Sequence, residues 1–151
     1  MTPDTVFSLA NMLVLPGWAL LILLPRWKWT LGLVCTAVIP IVLGVAYLLL
    51  FASQASNMPE GGGFGSLAEV TILFSNPALV TAGWLHYLAF DLFIGAWEVR
   101  DSQNQQINHI LVVPCLLFTF MLGPIGLSLY LVLRWAMTRQ LLIYQPVKRV
   151  I

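Results

Sequence analysis

Two ionisable side chains, His86 and Asp91, lie inside a long apolar run, residues 77–100, that predicts a membrane-spanning helix. At 1.5 Å per residue such a helix is about 36 Å long, and both side chains fall within about 5 Å of its midpoint. An ionisable group at that depth costs about 2.5–3.5 kcal/mol, and it usually faces a bundle interior or a water-filled cavity. A histidine and an aspartate in a low dielectric can divide the roles of acid and base. Both residues are therefore candidate catalytic groups.

The other polar residues of this helix lie to one side of His86. At about 100° per residue, Tyr87, Asp91 and Glu98 fall between about 100° and 140° from His86, and Glu98 is taken as a third catalytic candidate. His86 and Asp91 therefore meet only through a substrate, a water or a neighbouring helix. The opposite flank is apolar and is predicted to face lipid: Leu85, Ala89, Leu92 and Ala96. The candidate substrate-binding residues are Trp84, Tyr87 and, from the first helix, Asn11.

Structural roles are the alternative for each of these polar residues. His86 can stay neutral and donate to a backbone carbonyl or to Tyr87, and Asp91 can accept a hydrogen bond from Asn11. Glu98 and Asp101 suit solvated charges at the membrane boundary, and His109 suits an interfacial position. The alternative is that these three residues cluster at one mouth of the bundle.

A metal site is a further possibility, because His, Asp and Glu are good ligands for Zn, Fe or Mn. The candidate ligands are His86, Asp91, Glu98 and His109. The sequence holds no His-x-x-x-His, Glu-x-x-His or histidine-box spacing. A haem on His86 or His109 is equally conceivable, so the cofactor stays open.

The composition indicates that lipid is the solvent. Of 151 residues, 60% are hydrophobic and only 9% charged, and the mean hydropathy is +0.90, which leaves too little charge for a soluble surface. The net charge of +1 gives no basic field for nucleic acid. Cys35 and Cys115 lie in apolar runs and are expected to be buried fillers.

The apolar runs predict an all-α membrane protein, a single domain over residues 1–151 built as an antiparallel bundle of about four transmembrane helices. The third helix is expected to pack on the fourth and the first, with the second helix least central and a homo-oligomer possible. A polar loop is predicted at 101–106, a short interfacial segment at 66–74, and a surface tail at 135–151. The predicted helices are 4–24, 29–51, 77–100 and 108–134, the last interrupted at Pro114 and at Gly123-Pro124.

The run Gly83-Trp84-Leu85-His86-Tyr87-Leu88-Ala89-Phe90-Asp91-Leu92-Phe93 resembles the plant abscisic-acid-deficient-four family and its bacterial relatives, which show Trp-x-His-x-Leu-Ala-x-Asp-Leu-Phe in a transmembrane helix. Leu73-Phe74-Ser75 and Gly123-Pro124-Ile125-Gly126 are similar to it as well. The resemblance implies a role in carotenoid metabolism, since plant members are needed to convert violaxanthin to neoxanthin. The family motif carries over onto Trp84, His86 and Asp91. The plastid-targeting extension of plant members is absent, which suggests a prokaryotic relative in an inner or thylakoid-type membrane.

Three classes of function follow from the sequence and the resemblance. The first is an isomerase-like enzyme that opens the epoxide of a carotenoid or related isoprenoid by acid–base chemistry, without net redox change. The second is a non-catalytic subunit that binds pigment or lipid in the membrane. The third is a small proton or solute carrier, which would need to oligomerise.

Overall fold

The computed structural model describes residues 2–140, and this part of the chain is helical with no strand, which confirms the predicted all-α class. Of the predicted surface tail, residues 135–138 continue the last helix, and residues 141–151 lie outside the described residues. Three helices, α1, α2 and α4, are long and apolar enough to span a membrane. The helices are α1 (Pro3–Leu23), α2 (Thr30–Ser53), α3 (Leu67–Leu73), α4 (Pro77–Asn104), α5 (His109–Leu122) and α6 (Pro124–Thr138).

Helix starts follow the expected capping chemistry. The Asn76 side chain accepts a hydrogen bond from the Ala78 amide at 2.9 Å, and Pro77 occupies the first turn, as the sequence predicts. Ser66 caps the short helix α3, which confirms a helical segment near residues 66–74. The first part of α2, residues 30–38, is π-helical. Pro40 lacks the amide that would continue a regular ladder at this point, which favours the wider turns.

Helix α4 is the centre of the bundle, with α1 parallel to it and α2 antiparallel. Phe7 and Trp18 of α1 lie beside Trp84 and Gly95 of α4 in the same order along both helices. Against α2 the order reverses, and the amide of Asn76 donates to Gln54 at 2.9 Å where α2 ends and α4 begins. We name the two ends of the bundle after α1: the Pro3 end and the Leu23 end.

The flank of α4 that was predicted to face lipid is instead its core face. Leu85 and Leu92 are fully buried and Ala96 nearly so, whereas His86 is exposed. The prediction was wrong because α4 is covered on two sides. Its apolar flank packs against α1 and α2, while its acidic stripe packs against α5 and α6. α2 thus packs along α4 through buried Ile39 and Leu43, although most of its surface stays exposed.

The predicted fourth span, 108–134, is wrong as a single crossing, because it folds into a helical hairpin. Thr119 contacts Glu98, Gly123 lies against Asp91, and Tyr130 then returns to Asp101. The chain therefore enters from the Leu23 end, turns beside the middle of α4 and goes back. α5 has 14 residues, about 21 Å, which is shorter than the roughly 30 Å hydrocarbon core. In a bilayer the pair would be re-entrant, a geometry tolerated where protein covers the turn.

Gly123 and Gly126 permit this hairpin. Gly123 has a φ of +39°, a conformation that residues with a Cβ rarely adopt, and its amide donates to the Thr119 carbonyl at 3.0 Å. A Cβ on Gly126 would overlap the backbone of Thr119 on α5. The two helices therefore approach as closely as backbone allows.

The predicted polar loop at 101–106 is also partly helical. α4 continues to Asn104 because Asp101 and Ser102 face inward and are buried. The carboxylate of Asp101 accepts hydrogen bonds from two side chains of α6, which hold this last turn in the fold.

Candidate functional site

His86 lies on an apolar groove between α2 and α4. Its ring stacks on Phe90 with centroids 4.3 Å apart, and the ring of Tyr47 is 6.3 Å away. The first cavity of the groove measures about 560 Å³ and its lining runs from Thr36 to Phe93. His86 and Tyr47 are the side chains of this lining best suited to proton transfer.

The groove continues past His86 toward the Pro3 end. A second cavity of about 290 Å³ shares Tyr47 and His86 with the first, and extends to Phe64 and Phe74. On α4 the two linings run from Leu79 to Phe93, about 21 Å at 1.5 Å per residue. The two cavities together form one long, largely apolar groove, and the imidazole of His86 lies near its middle.

Asp91 does not face this groove, because it points at the turn of the α5–α6 hairpin. A Cβ built on Gly123 would lie 2.9 Å from Asp91 Oδ1, so the carboxylate rests directly on the turn. Tyr87, one turn earlier, interacts with the same carboxylate. Asp91 Oδ2 is buried without a hydrogen-bond partner. Asp91 therefore lies against the hairpin turn.

Glu98 and Asp101 continue the acidic stripe toward the Leu23 end. Glu98 is fully buried, and its Oε1 accepts a hydrogen bond from Thr119 Oγ1 at 2.9 Å, while Oε2 has no partner. Asp101 Oδ2 accepts from Tyr130 at 2.6 Å and from Arg134 Nε at 2.7 Å, a buried ion pair. These acids bind the hairpin to α4, so the expectation of solvated boundary charges is wrong for both.

Trp84, Tyr87 and Asn11 form a separate aromatic surface between α1 and α4. Trp84 Nε1 donates to Asn11 Oδ1 at 3.1 Å, and the Asn11 amide donates to the Phe7 carbonyl at 2.8 Å. The Trp84 ring stacks on Tyr87 with centroids 5.1 Å apart. The partner of Asn11 is thus Trp84, and the suggested bond to Asp91 does not form.

His109 holds α5 to α1 and lies apart from the acids. Its Nε2 is 3.0 Å from the Ile22 carbonyl, which fixes Nε2 as the donor nitrogen, and Nδ1 is buried without a partner. The predicted cluster of His109 with Glu98 and Asp101 is therefore wrong. Within residues 2–140, no three His, Cys, Asp or Glu side chains come together to hold a metal ion.

The structure thus separates residues that the motif places close in sequence. His86 belongs to the α2–α4 groove, and Asp91 and Glu98 belong to the hairpin. Sequence reasoning missed Tyr47, although it is the only tyrosine of an otherwise apolar helix. It also missed Thr119 and Tyr130 as partners of the acids, because no spacing pattern links residues on a folded-back hairpin.

Comparison with known proteins identifies the family. A model of the ABA DEFICIENT 4-like family matches residues 5–130, which shows that the chain belongs to that family. The chain is also 27% identical over 150 residues to Protein ABA DEFICIENT 4, chloroplastic, of Arabidopsis thaliana. The match covers 91% of this chain and 64% of the plant protein. No solved structure matches the chain.

Proposed function

We propose that this member of the ABA DEFICIENT 4-like family is a multi-pass membrane protein that binds a carotenoid or related linear isoprenoid along the α2–α4 groove and isomerises it. The observation that carries the proposal is the exposed imidazole of His86 in the largely apolar α2–α4 groove. Lipid contact alone gives no reason for an ionisable ring there, since an apolar residue would avoid its cost. The name of the plant relative and the resemblance of the Trp84–Asp91 run support the choice of pigment.

The proposed reaction is an epoxide opening without net redox change. A carbon–oxygen bond of the epoxide breaks and the oxygen takes a proton. A neighbouring carbon loses a proton, and the electron pair of that carbon–hydrogen bond becomes part of a new double bond. Imidazole suits both transfers because one ring nitrogen can accept a proton while the other donates. The Tyr47 hydroxyl, on the same groove, is a second donor for the oxygen.

In this proposal Asp91 and Glu98 are positioning residues. They hold the α5–α6 hairpin against α4 and do not touch the groove, so they act on the geometry of the helix that carries His86. Replacing Asp91 should lower stability and activity together. Replacing His86 should lower activity alone, because its ring is exposed, stacks on Phe90 and lies tilted beside Tyr47.

The test is pigment conversion in a host that accumulates an epoxy-carotenoid, with products separated by chromatography. His86→Phe keeps the aromatic stacking on Phe90 but removes both ring nitrogens, and Tyr47→Phe removes only a hydroxyl. Loss of general acid–base catalysis lowers the rate by about 10²–10⁴-fold. Val80→Ala is the matched control, since Val80 is 47% exposed on α4 and lines neither cavity. We expect His86→Phe to abolish conversion and Val80→Ala to leave it unchanged.

A second candidate function is non-catalytic pigment binding, favoured by the fact that Asp91 and Glu98 are engaged away from the groove. The same experiment separates the two. If pigment copurifies with the wild type and with His86→Phe in equal amounts, and conversion does not change, the acid–base role is refuted and binding remains. An absorbance spectrum of the purified protein supplies the first of these readouts.

A further inference from the structure

A polar cavity of about 910 Å³ at the Leu23 end belongs neither to the α2–α4 groove nor to the acidic stripe. It lies between the loop that joins α1 to α2 and the turn that joins α4 to α5. Its lining combines a cation, amide groups and aliphatic side chains: Ile22, Leu23, Pro25, Arg26, Ser102, Gln103, Gln106, Ile107, Asn108 and His109.

Two hydrogen bonds join the opposite walls of this cavity. Gln103 Nε2 donates to the Pro25 carbonyl at 2.8 Å, and His109 Nε2 donates to the Ile22 carbonyl at 3.0 Å. Each joins the end of α1 to residues that close the cavity from the α4–α5 side. The walls are therefore held at a fixed separation while the space between them stays open.

The charge around the cavity favours an anion. Arg26 lines it, and none of the acidic side chains in residues 2–140 does. The nearest acid along α4, Asp101, faces away and is already bonded to Tyr130 and Arg134. The side-chain amides of Gln106 and Asn108 offer further donors, and the positive end of the α5 dipole lies at the same place.

The aliphatic side of the cavity favours an anion that carries a hydrocarbon chain. Leu23 lines the cavity and is 74% exposed, and Ile110, the residue after His109 on α5, is 75% exposed. Trp27 and Trp29 are exposed in the adjoining loop, as is typical of residues at the level of lipid headgroups. A chain attached to a bound headgroup can leave the cavity along Leu23.

We propose that this cavity binds the phosphate of an anionic membrane lipid, with Arg26 as the principal contact and the acyl chains passing over Leu23. A guanidinium and a phosphate form charge-assisted, often paired hydrogen bonds. The site is independent of the proposed isomerisation, since it shares no residue with the α2–α4 groove.

The test is native mass spectrometry of the whole chain in detergent, titrated separately with phosphatidylglycerol, phosphatidylcholine and inorganic phosphate. Arg26→Gln is compared with Lys28→Gln, a change of the same charge in the same loop. Lys28 does not line the cavity and lies over the Trp29 ring, 5.1 Å from its centroid. Gln106→Gly is a second cavity variant, and its backbone φ of +57° suits glycine.

We expect phosphatidylglycerol to bind most tightly and Arg26→Gln to weaken it by about tenfold, as loss of a charged hydrogen bond requires. Lys28→Gln should change the affinity less than twofold, since Lys28 does not line the cavity. Equal weakening by both variants would mean nonspecific attraction and would overturn the proposal. So would equal affinity for phosphatidylcholine, or displacement of the lipid by inorganic phosphate at matching concentration.

Discussion

Gly123→Ala is expected to destabilise the hairpin through two effects that can be measured apart. The backbone at Gly123 has a φ of +39°, and a residue with a Cβ held in such a region costs about 1–3 kcal/mol. The added Cβ would also lie 2.9 Å from Asp91 Oδ1, so the carboxylate must retreat by about half an ångström. Together these effects predict a loss of about 2–4 kcal/mol, or about 5–15 °C in Tm.

A double-mutant cycle with Asp91→Ala isolates the contact. Removing the carboxylate relieves the clash but leaves the backbone strain, so Gly123→Ala should cost about 1 kcal/mol less in the Asp91→Ala background. Gly32→Ala is the control, because its Cβ would meet nothing within 4 Å. The assay is thermal unfolding of the detergent-purified variants. A Gly123→Ala loss no larger than that of Gly32→Ala, or strict additivity with Asp91→Ala, would refute this account of the turn.

Three further variants test the rest of the fold by the same unfolding assay. Asp101→Asn should cost about 3–5 kcal/mol of folding stability because it leaves Arg134 buried beside a neutral partner. Combining Asp101→Asn with Arg134→Met should recover part of that loss, and no recovery would contradict the ion-pair account. Gly126→Ala should be among the most damaging single substitutions, since its Cβ would overlap the backbone of α5, and a stable variant would exclude the close hairpin. Trp84→Phe should cost about 1 kcal/mol through the lost hydrogen bond to Asn11, and an equal loss when Asn11→Ala is already present would contradict that pairing.

The sequence predicts the long helices well because each carries its own signals. Asn76 and Pro77 mark the start of α4, and the apolar lengths of α1 and α2 match their observed bounds to within about two residues. These signals are local, so folding does not change them.

The direction of the side chains is not local, and there the sequence prediction was only partly right. A polar stripe was predicted to face inward, which holds for Glu98 and Asp101 but not for the exposed His86. The apolar flank was predicted to face outward, yet Leu92 is buried. Helical periodicity gives the angle between two residues but not which neighbour covers each face. In lipid an apolar flank is equally suited to the core and to the surface, so periodicity does not decide between them.

The sequence predicted a break at the position of the hairpin turn but not the reversal of the chain. Gly123-Pro124 was recognised as an interruption, but a break that kinks a spanning helix and one that reverses it have the same residues. What distinguishes them here is the set of contacts that α6 makes on its return, above all Tyr130 and Arg134 on Asp101. Those contacts join residues about 30 positions apart, and no spacing rule anticipates them.

The reversal at Gly123 also changes the expected number of membrane crossings from even to odd. If α1, α2 and α4 are the helices that cross the membrane, the hairpin returns to its own side, and the Pro3 end and the end of α6 face opposite compartments. With four crossings, the seven cations of the sequence would be divided almost evenly between the two sides. In the described chain, the Pro3 end has only acids (Asp4, Glu60 and Glu69), and the Leu23 end has the cations (Arg26, Lys28, Arg100, Arg134 and Arg139). The positive-inside rule then predicts that the Leu23 end stays in the compartment from which the chain is inserted.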